Sequence, residues 1–168
     1  NAINEELLES REDLSRMNRE LESMVGERVR AFVESEERFR SMADNTDVLI
    51  AVSDEGGNRH YFNKAWEKLT GRTGVQLVAL GWHDLVHDED RRRFLDIHRQ
   101  AFSKRASYTD EFRLMSTEGV YLWLLKTGTP RFLADGSFAG YISSCVDISQ
   151  NKRYERELQD VNEELAAS

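Results

Sequence analysis

Residues 83–90 hold two histidines and four carboxylates: His83, Asp84, His87, Asp88, Glu89 and Asp90. Imidazoles and carboxylates this close together are the material of a metal site or of acid–base chemistry. Their setting argues against both. They stand where a loop runs into a helix, and there carboxylates bond free backbone amides and meet the positive end of the helix dipole. No metal is therefore expected. Arg91-Arg92-Arg93 follows three acids directly and reads as the next turn of the same helix, a solvated face and not a phosphate-binding patch. Cys145 is the only cysteine, so no internal disulfide can form, and a buried structural thiol in a reducing compartment is expected. Gly56-Gly57 and Gly71 with Gly74 are turn glycines that lack the strand-to-helix context of a phosphate loop. No catalytic residue is assigned, and any catalysis belongs outside this chain.

These residues are positioned by a middle segment of turns and short elements. Nine of the ten glycines and the only proline lie between Ser41 and Ile148. Asp47–Asp54 has the length and β-branched content of a buried strand, and the turn at Glu55–Asn58 returns the chain as a second strand over Arg59–Phe62. Asn63 can cap a short helix over Lys64–Thr70, with Gly71 as its stop, and a second short piece runs near Val75–Leu80. His87 or Asp88 opens a longer helix with Phe94, Ile97, His98, Ala101 and Phe102 on one face. Three strands follow, Tyr108–Met115, Val120–Phe132 and Phe138–Ile148, joined by Ser-Thr-Glu-Gly119 and Ala-Asp-Gly-Ser137. Tyr121–Leu125 is apolar on both parities, so both faces of the sheet should be covered there. The expected fold class is α+β, a five-stranded antiparallel sheet with helices on one face.

The flanks are different. Leu7, Leu14, Met17, Leu21 and Met24 continue the spacing begun by Ile3 in heptad steps, and Ser10 fills the missed position. Two apolar positions in seven are too few for a globular core and fit a seam against a second chain. Arg28 falls on the seam, and Val25, Val29 and Phe32 define a shifted stripe. After Ile148 the pattern returns as Tyr154, Leu158, Val161 and Leu165. The expected divisions are a coiled-coil helix over residues 1–40, a globular domain over 41–148, and a linker helix over 149–168. The net charge is −8, and no apolar run approaches the 18 residues of a membrane span. Nucleic-acid binding and direct membrane contact are not expected, and the chain should be soluble.

The ordered set Glu-Arg-Phe-Arg40, Tyr61-Phe-Asn-Lys-Ala-Trp-Glu-Lys-Leu-Thr-Gly71, Val86-His-Asp-Glu-Asp-Arg91, Glu111-Phe-Arg-Leu114 with Gly119-Val-Tyr-Leu-Trp123, and Val146-Asp-Ile-Ser149 resembles the PAS domain with its PAC-type C-terminal half. The resemblance covers about Glu37–Leu158. Its last motif is similar to the Asp-Ile-Thr signature that hands such domains over to a signalling helix, here with Ser for Thr. The N-terminal coil resembles linkers in bacterial sensor histidine kinases and diguanylate cyclases.

The resemblance implies a non-enzymatic, cytoplasmic sensory or relay module, free or within a membrane-anchored sensor. It would dimerise through both coils and act on an effector domain in the same polypeptide, a histidine kinase or a cyclase. Asp147, Ile148 and Ser149 would transmit the signal, because a joint without Gly or Pro passes strand motion to the helix. Asp147 either pairs with Arg113 or Arg131 or caps the tail helix. A ligand, if present, would meet Phe94, Ile97, His98, Trp123 and Tyr141 between sheet and helix, although aromatics in a domain of this size usually fill the core. No cofactor is expected. The flavin-adduct type needs a cysteine in the helical part, which has none, and the haem type places a histidine where Phe94 stands, with His98 one turn later as a satisfied core or rim histidine. A haem or flavin sensor and a ligand-free dimerisation module remain the alternatives.

Overall fold

The apolar repeat changes from heptad to alternating and back, and the elements of the computed structural model, which describes all 168 residues, change with it. Helix α1 spans Ala2–Asp44 and α5 spans Ser149–Ala167. Between them run β1 (Leu49–Ser53), β2 (Arg59–Phe62), α2 (Lys64–Thr70), α3 (Gly74–Leu80), a 3-10 turn at His83–Leu85, α4 (Asp88–Lys104), β3 (Tyr108–Met115), β4 (Tyr121–Phe132) and β5 (Phe138–Asp147). The chain divides into two compact units, residues 1–42 and 43–168. The second unit begins later than the expected boundary and takes in α5, because Ala43 is bonded to Asn63, Asp44 to β2 and α2, and the first turn of α5 to β4.

In the first unit the heptad residues Ile3, Leu7, Leu14, Met17, Leu21 and Met24 are all exposed, as are Val25, Val29 and Phe32 of the shifted stripe. At 1.5 Å per residue, α1 is about 65 Å long. Leu158, Val161 and Leu165 of α5 are likewise exposed.

In the second unit the five strands form one antiparallel sheet in the order β2-β1-β5-β4-β3. Pairing fixes which residues share a face. Phe112 opposes Leu124, Lys126 opposes Cys145, Cys145 opposes Leu49, and Ala51 opposes Phe62. These point toward α2, α3 and α4. Trp66, Leu77, Trp82, Val86 and Phe94 close over them to make the core. Trp82 is its hub, with ring centroids 4.7 Å from Trp66, 5.2 Å from Phe94 and 5.6 Å from Phe112. Gly140 lets β5 pass the end of β1: its φ is 112°, and a Cβ there would stand 2.0 Å from the Ser53 carbonyl oxygen.

The short helices stop and start by local chemistry. Gly71 ends α2 in the left-handed region as expected. Thr73 and Gln76 form a reciprocal capping box on α3, a Thr-x-x-Gln signal legible in the sequence. Asn63 occupies the position before α2 but its side chain does not cap it. The Asp44 carboxylate does so instead, accepting from the Lys64 amide at 3.0 Å and from the Tyr61 hydroxyl at 3.1 Å. No helix is long and apolar enough to cross a membrane.

Candidate functional site

Of the carboxylates of residues 84–90, Asp84, Glu89 and Asp90 are held by arginines from other elements, and exposed Asp88 meets only Arg91 of its own helix. Asp84 takes a bidentate contact from Arg72, with distances of 2.9 and 2.6 Å. Burial alone would raise the Asp90 carboxyl, but hydrogen bonds from Arg113 outweigh it and hold the group below its ordinary value. Arg113 donates from Nε and Nη2 to Asp90 at 2.9 Å each, and Nη2 also reaches Glu89 at 3.0 Å. His87 caps α4, its Nδ1 accepting from the Glu89 amide. Arg91 and Arg93 fold back on the protein, donating to the carbonyls of Val86 and Glu111.

A cavity of about 400 Å³ lies between α4, β1–β2 and the inner face of the sheet. Tyr108, Lys126, Tyr141 and Ser143 come from the sheet, His98, Arg99 and Phe102 from α4, and Trp82 and His83 from the segment before it. Of the five residues expected to meet a ligand, His98 and Tyr141 are on this wall and three are not. Phe94 is wholly buried in the core beneath it, and Ile97 is half-buried on α4 outside the cavity. Trp123 is on the opposite face of the sheet. It opposes Arg113, whose guanidinium stacks on it at 5.1 Å, while Lys152 of α5 lies 5.0 Å from its ring. Tyr141 contributes only its ring, since its hydroxyl lies 2.9 and 2.7 Å from the Ala101 and Ala106 carbonyl oxygens at the end of α4.

Sequence reasoning missed Lys126. It is 6 % exposed, and its ammonium lies 4.7 Å from the Trp82 ring and 5.7 Å from those of Phe94 and Tyr108, without a hydrogen-bond acceptor in the protein. Burial lowers its pKa to about 8. The parity of Leu122, Leu124 and Lys126 carried the signal, because two apolar residues facing the core bring the lysine with them. His83 is also on the wall, and burial with the nearby Lys126 and Arg59 charges lowers it to about 4. Burial and the Lys126 charge drive His98 lower still. Both imidazoles are neutral at pH 7. His98 is not the satisfied histidine expected: its Nε2 is buried without a partner. Tyr108 lies against Gly128, where a Cβ would stand 2.1 Å from its ring, so glycine at 128 is what admits the tyrosine.

Burial pushes the Cys145 thiol up to about 12, and it lies in β5 within the core, so it is a protonated packing group. The haem-ligand position is filled by the Phe94 ring, 4.0 Å from the His98 ring centroid.

Two joints frame the domain. At the entry, Asn63 is wholly buried and donates from Nδ2 to the Ala43 and Val48 carbonyls at 2.7 and 2.8 Å, while its Oδ1 accepts from the Ile50 amide at 3.0 Å. Asn63→Ala orphans three backbone groups and should cost about 2 kcal/mol, measured by urea denaturation. At the exit, the Ile148 amide donates to the Trp123 carbonyl at 2.8 Å, and the Trp123 amide donates to Ser149 Oγ at 3.0 Å. Asp147 accepts from the Ser149 amide at 2.9 Å. It pairs with neither Arg113, which is held by Glu89 and Asp90, nor Arg131, which donates to the Ser53 and Ala139 carbonyls. Lys152 fastens the first turn of α5 to Glu111 at 2.5 Å.

A family model described as the PAS fold matches residues 59–145. The "uncharacterized protein y4lL" of Sinorhizobium fredii is 37 % identical over 127 residues, 76 % of this chain and 15 % of that protein. The "peroxide stress-activated histidine kinase mak1" of Schizosaccharomyces pombe is 26 % identical over 141 residues, 79 % of this chain and 9 % of its own length. The chain thus spans less than a sixth of either relative. Among solved structures, the "sensory box histidine kinase/response regulator" of Burkholderia thailandensis superposes with a TM-score of 0.60 at 20 % identity, over 78 % of this chain and 99 % of that one. With the five-stranded antiparallel sheet, the helices on its inner face and the matched motifs in place, the chain belongs to the PAS-fold family of sensory domains.

Proposed function

We propose that this chain is a cytoplasmic sensory or relay module that dimerises through the exposed seams of α1 and α5 and transmits a change in sheet packing to an effector, a histidine kinase, in the same polypeptide. The observation that carries the reading is the exit joint. The Trp123 carbonyl accepts from the Ile148 amide and the Trp123 amide donates to the Ser149 hydroxyl, so α5 begins where the sheet ends, with no Gly or Pro between them. Paired helices have two discrete packed arrangements, and a ligand or upstream helix that favours one shifts the pair by the few kcal/mol between them. The seams have the apolar period a partner helix needs and no cover within their own helices.

Light scattering on the whole chain tests the assembly. The native protein should be a dimer at micromolar concentration, and Leu14→Lys with Leu21→Lys should weaken association at least a hundredfold while leaving the circular dichroism of the sheet unchanged. A strictly monomeric native chain at high concentration would end the reading.

A further inference from the structure

We propose that the cavity beneath α4 is an anion site: it takes a small organic acid whose carboxylate rests on Lys126 and whose planar apolar body lies against the aromatic wall. This rests on the sensory reading and names the ligand class of its cavity.

The charge of the wall is one-sided. Lys126, Arg59 and Arg99 line the cavity, and no carboxylate does. A buried ammonium needs a counter-charge or acceptors, and Lys126 has ring faces around it and no hydrogen-bond acceptor, with Asp110 acting on it only at a distance. Its cross-strand neighbour Asp110 forms no salt bridge with it. That carboxylate instead takes a long 3.5 Å contact from Arg93, and its Oδ2 is buried without a partner. His98 is on the wall as well, with its Nε2 buried behind the surface and without a partner. A metal cation would be repelled by three like charges, and a neutral guest would leave Lys126 as it is. Inorganic phosphate would meet the charge but not the walls, where Phe62, Trp82, Phe102 and Tyr108 present rings. A carboxylate on a flat apolar frame answers both, and the volume suits a molecule of that size.

Every titratable group facing Lys126 bears on how binding depends on pH. His83 before α4 and His98 on α4 are held neutral well below pH 6, and burial raises Tyr108 on β3 and both Tyr141 and Cys145 on β5, the thiol to about 12. Asp110 on β3 is raised by burial from its ordinary carboxylate value. Arg59 from β2 and Arg99 from α4 complete the set. Lys126 is thus the group whose titration, near pH 8, reaches the anion.

The test is calorimetric titration of the whole chain with phenylacetate, benzoate, 4-hydroxybenzoate and indole-3-acetate, each beside its neutral amide. At least one acid should bind, and its amide at least tenfold more weakly. Lys126→Met should weaken the acid at least thirtyfold and leave the amide unchanged. Affinity should hold between pH 6 and 7.5 and fall about tenfold per pH unit above 8, as the lysine must gain a proton to bind, with no such fall in Lys126→Met. If acid and amide bind equally, or Lys126→Met binds like the native chain, the charge assignment is overturned while the cavity stays a ligand site. If no acid and no amide binds, the proposal is overturned, and the dimerisation reading still stands or falls by light scattering.

Discussion

Lys126→Met raises the stability of the domain at pH 7 by about 3 kcal/mol. Burial displaces the ammonium from its ordinary 10.5 to about 8, and at about 1.36 kcal/mol per pKa unit the native chain loses roughly that much by folding around a protonated lysine. The sign follows from the direction of the displacement. A lysine whose folded pKa lies below its unfolded one destabilises fully at any pH below about 8, and the penalty fades as pH rises from 8 toward 10.5. The advantage of Lys126→Met should therefore be level from pH 6 to 8 and shrink above it. Methionine keeps the length and loses the charge, so the rings of Trp82 and Phe94 retain their contacts. Thermal unfolding should show a gain of roughly 6–12 °C at pH 7. Equal midpoints for the two proteins would mean that the ammonium is not buried as described. A residue that costs stability where it stands is expected at a binding site.

Arg113→Met is the opposite case and costs about 3–5 kcal/mol. The Asp90 side chain is 3 % exposed, and Arg113 supplies two side-chain hydrogen bonds and one amide hydrogen bond to it. Without the guanidinium, the buried carboxylate keeps the Arg113 main-chain amide and a longer contact of 3.6 Å with Arg93. In the native chain Asp90 titrates below its ordinary 3.8, so its contribution is present above that pH and is lost as pH falls through the folded value. In the variant, burial is no longer outweighed and the carboxyl rises. The deficit should therefore be largest at neutral pH and narrow below about pH 4. The double variant Asp90→Leu with Arg113→Met should recover most of the loss, as a buried pair replaced whole costs little. Urea unfolding of the three proteins at pH 7 and pH 4 reads each of these. An Arg113→Met protein as stable as the native one would reduce the pair to a surface contact.

The sheet was legible because its apolar residues alternate and its turns carry Gly, Asn and Asp where the backbone needs them. The site was less so, and Tyr121–Leu125 shows why. A run apolar on both parities does not say which face it turns inward. Placing Trp123 inward leaves Lys126 in solvent, the ordinary choice for a lysine. Pairing of Leu124 with Phe112 decides the reverse, burying the lysine and sending the tryptophan out beneath α5. A local rule is broken where the cavity lies, which is where such breaks are expected. Asn63 was hidden for another reason: the helix it precedes is capped by Asp44, about twenty residues upstream, and no spacing rule joins them. The heptads of α1 and α5 name their own apolar faces without naming the surface that meets them.

One main-chain hydrogen bond, from the Ile148 amide to Trp123, and one from the Trp123 amide to the Ser149 hydroxyl carry the bonding of the sheet into the first turn of α5. On the relay reading proposed above, the compliance of this outlet is that of a hydrogen-bonded ribbon and not of a hinge, and Lys126 stands three positions along the same strand from Trp123.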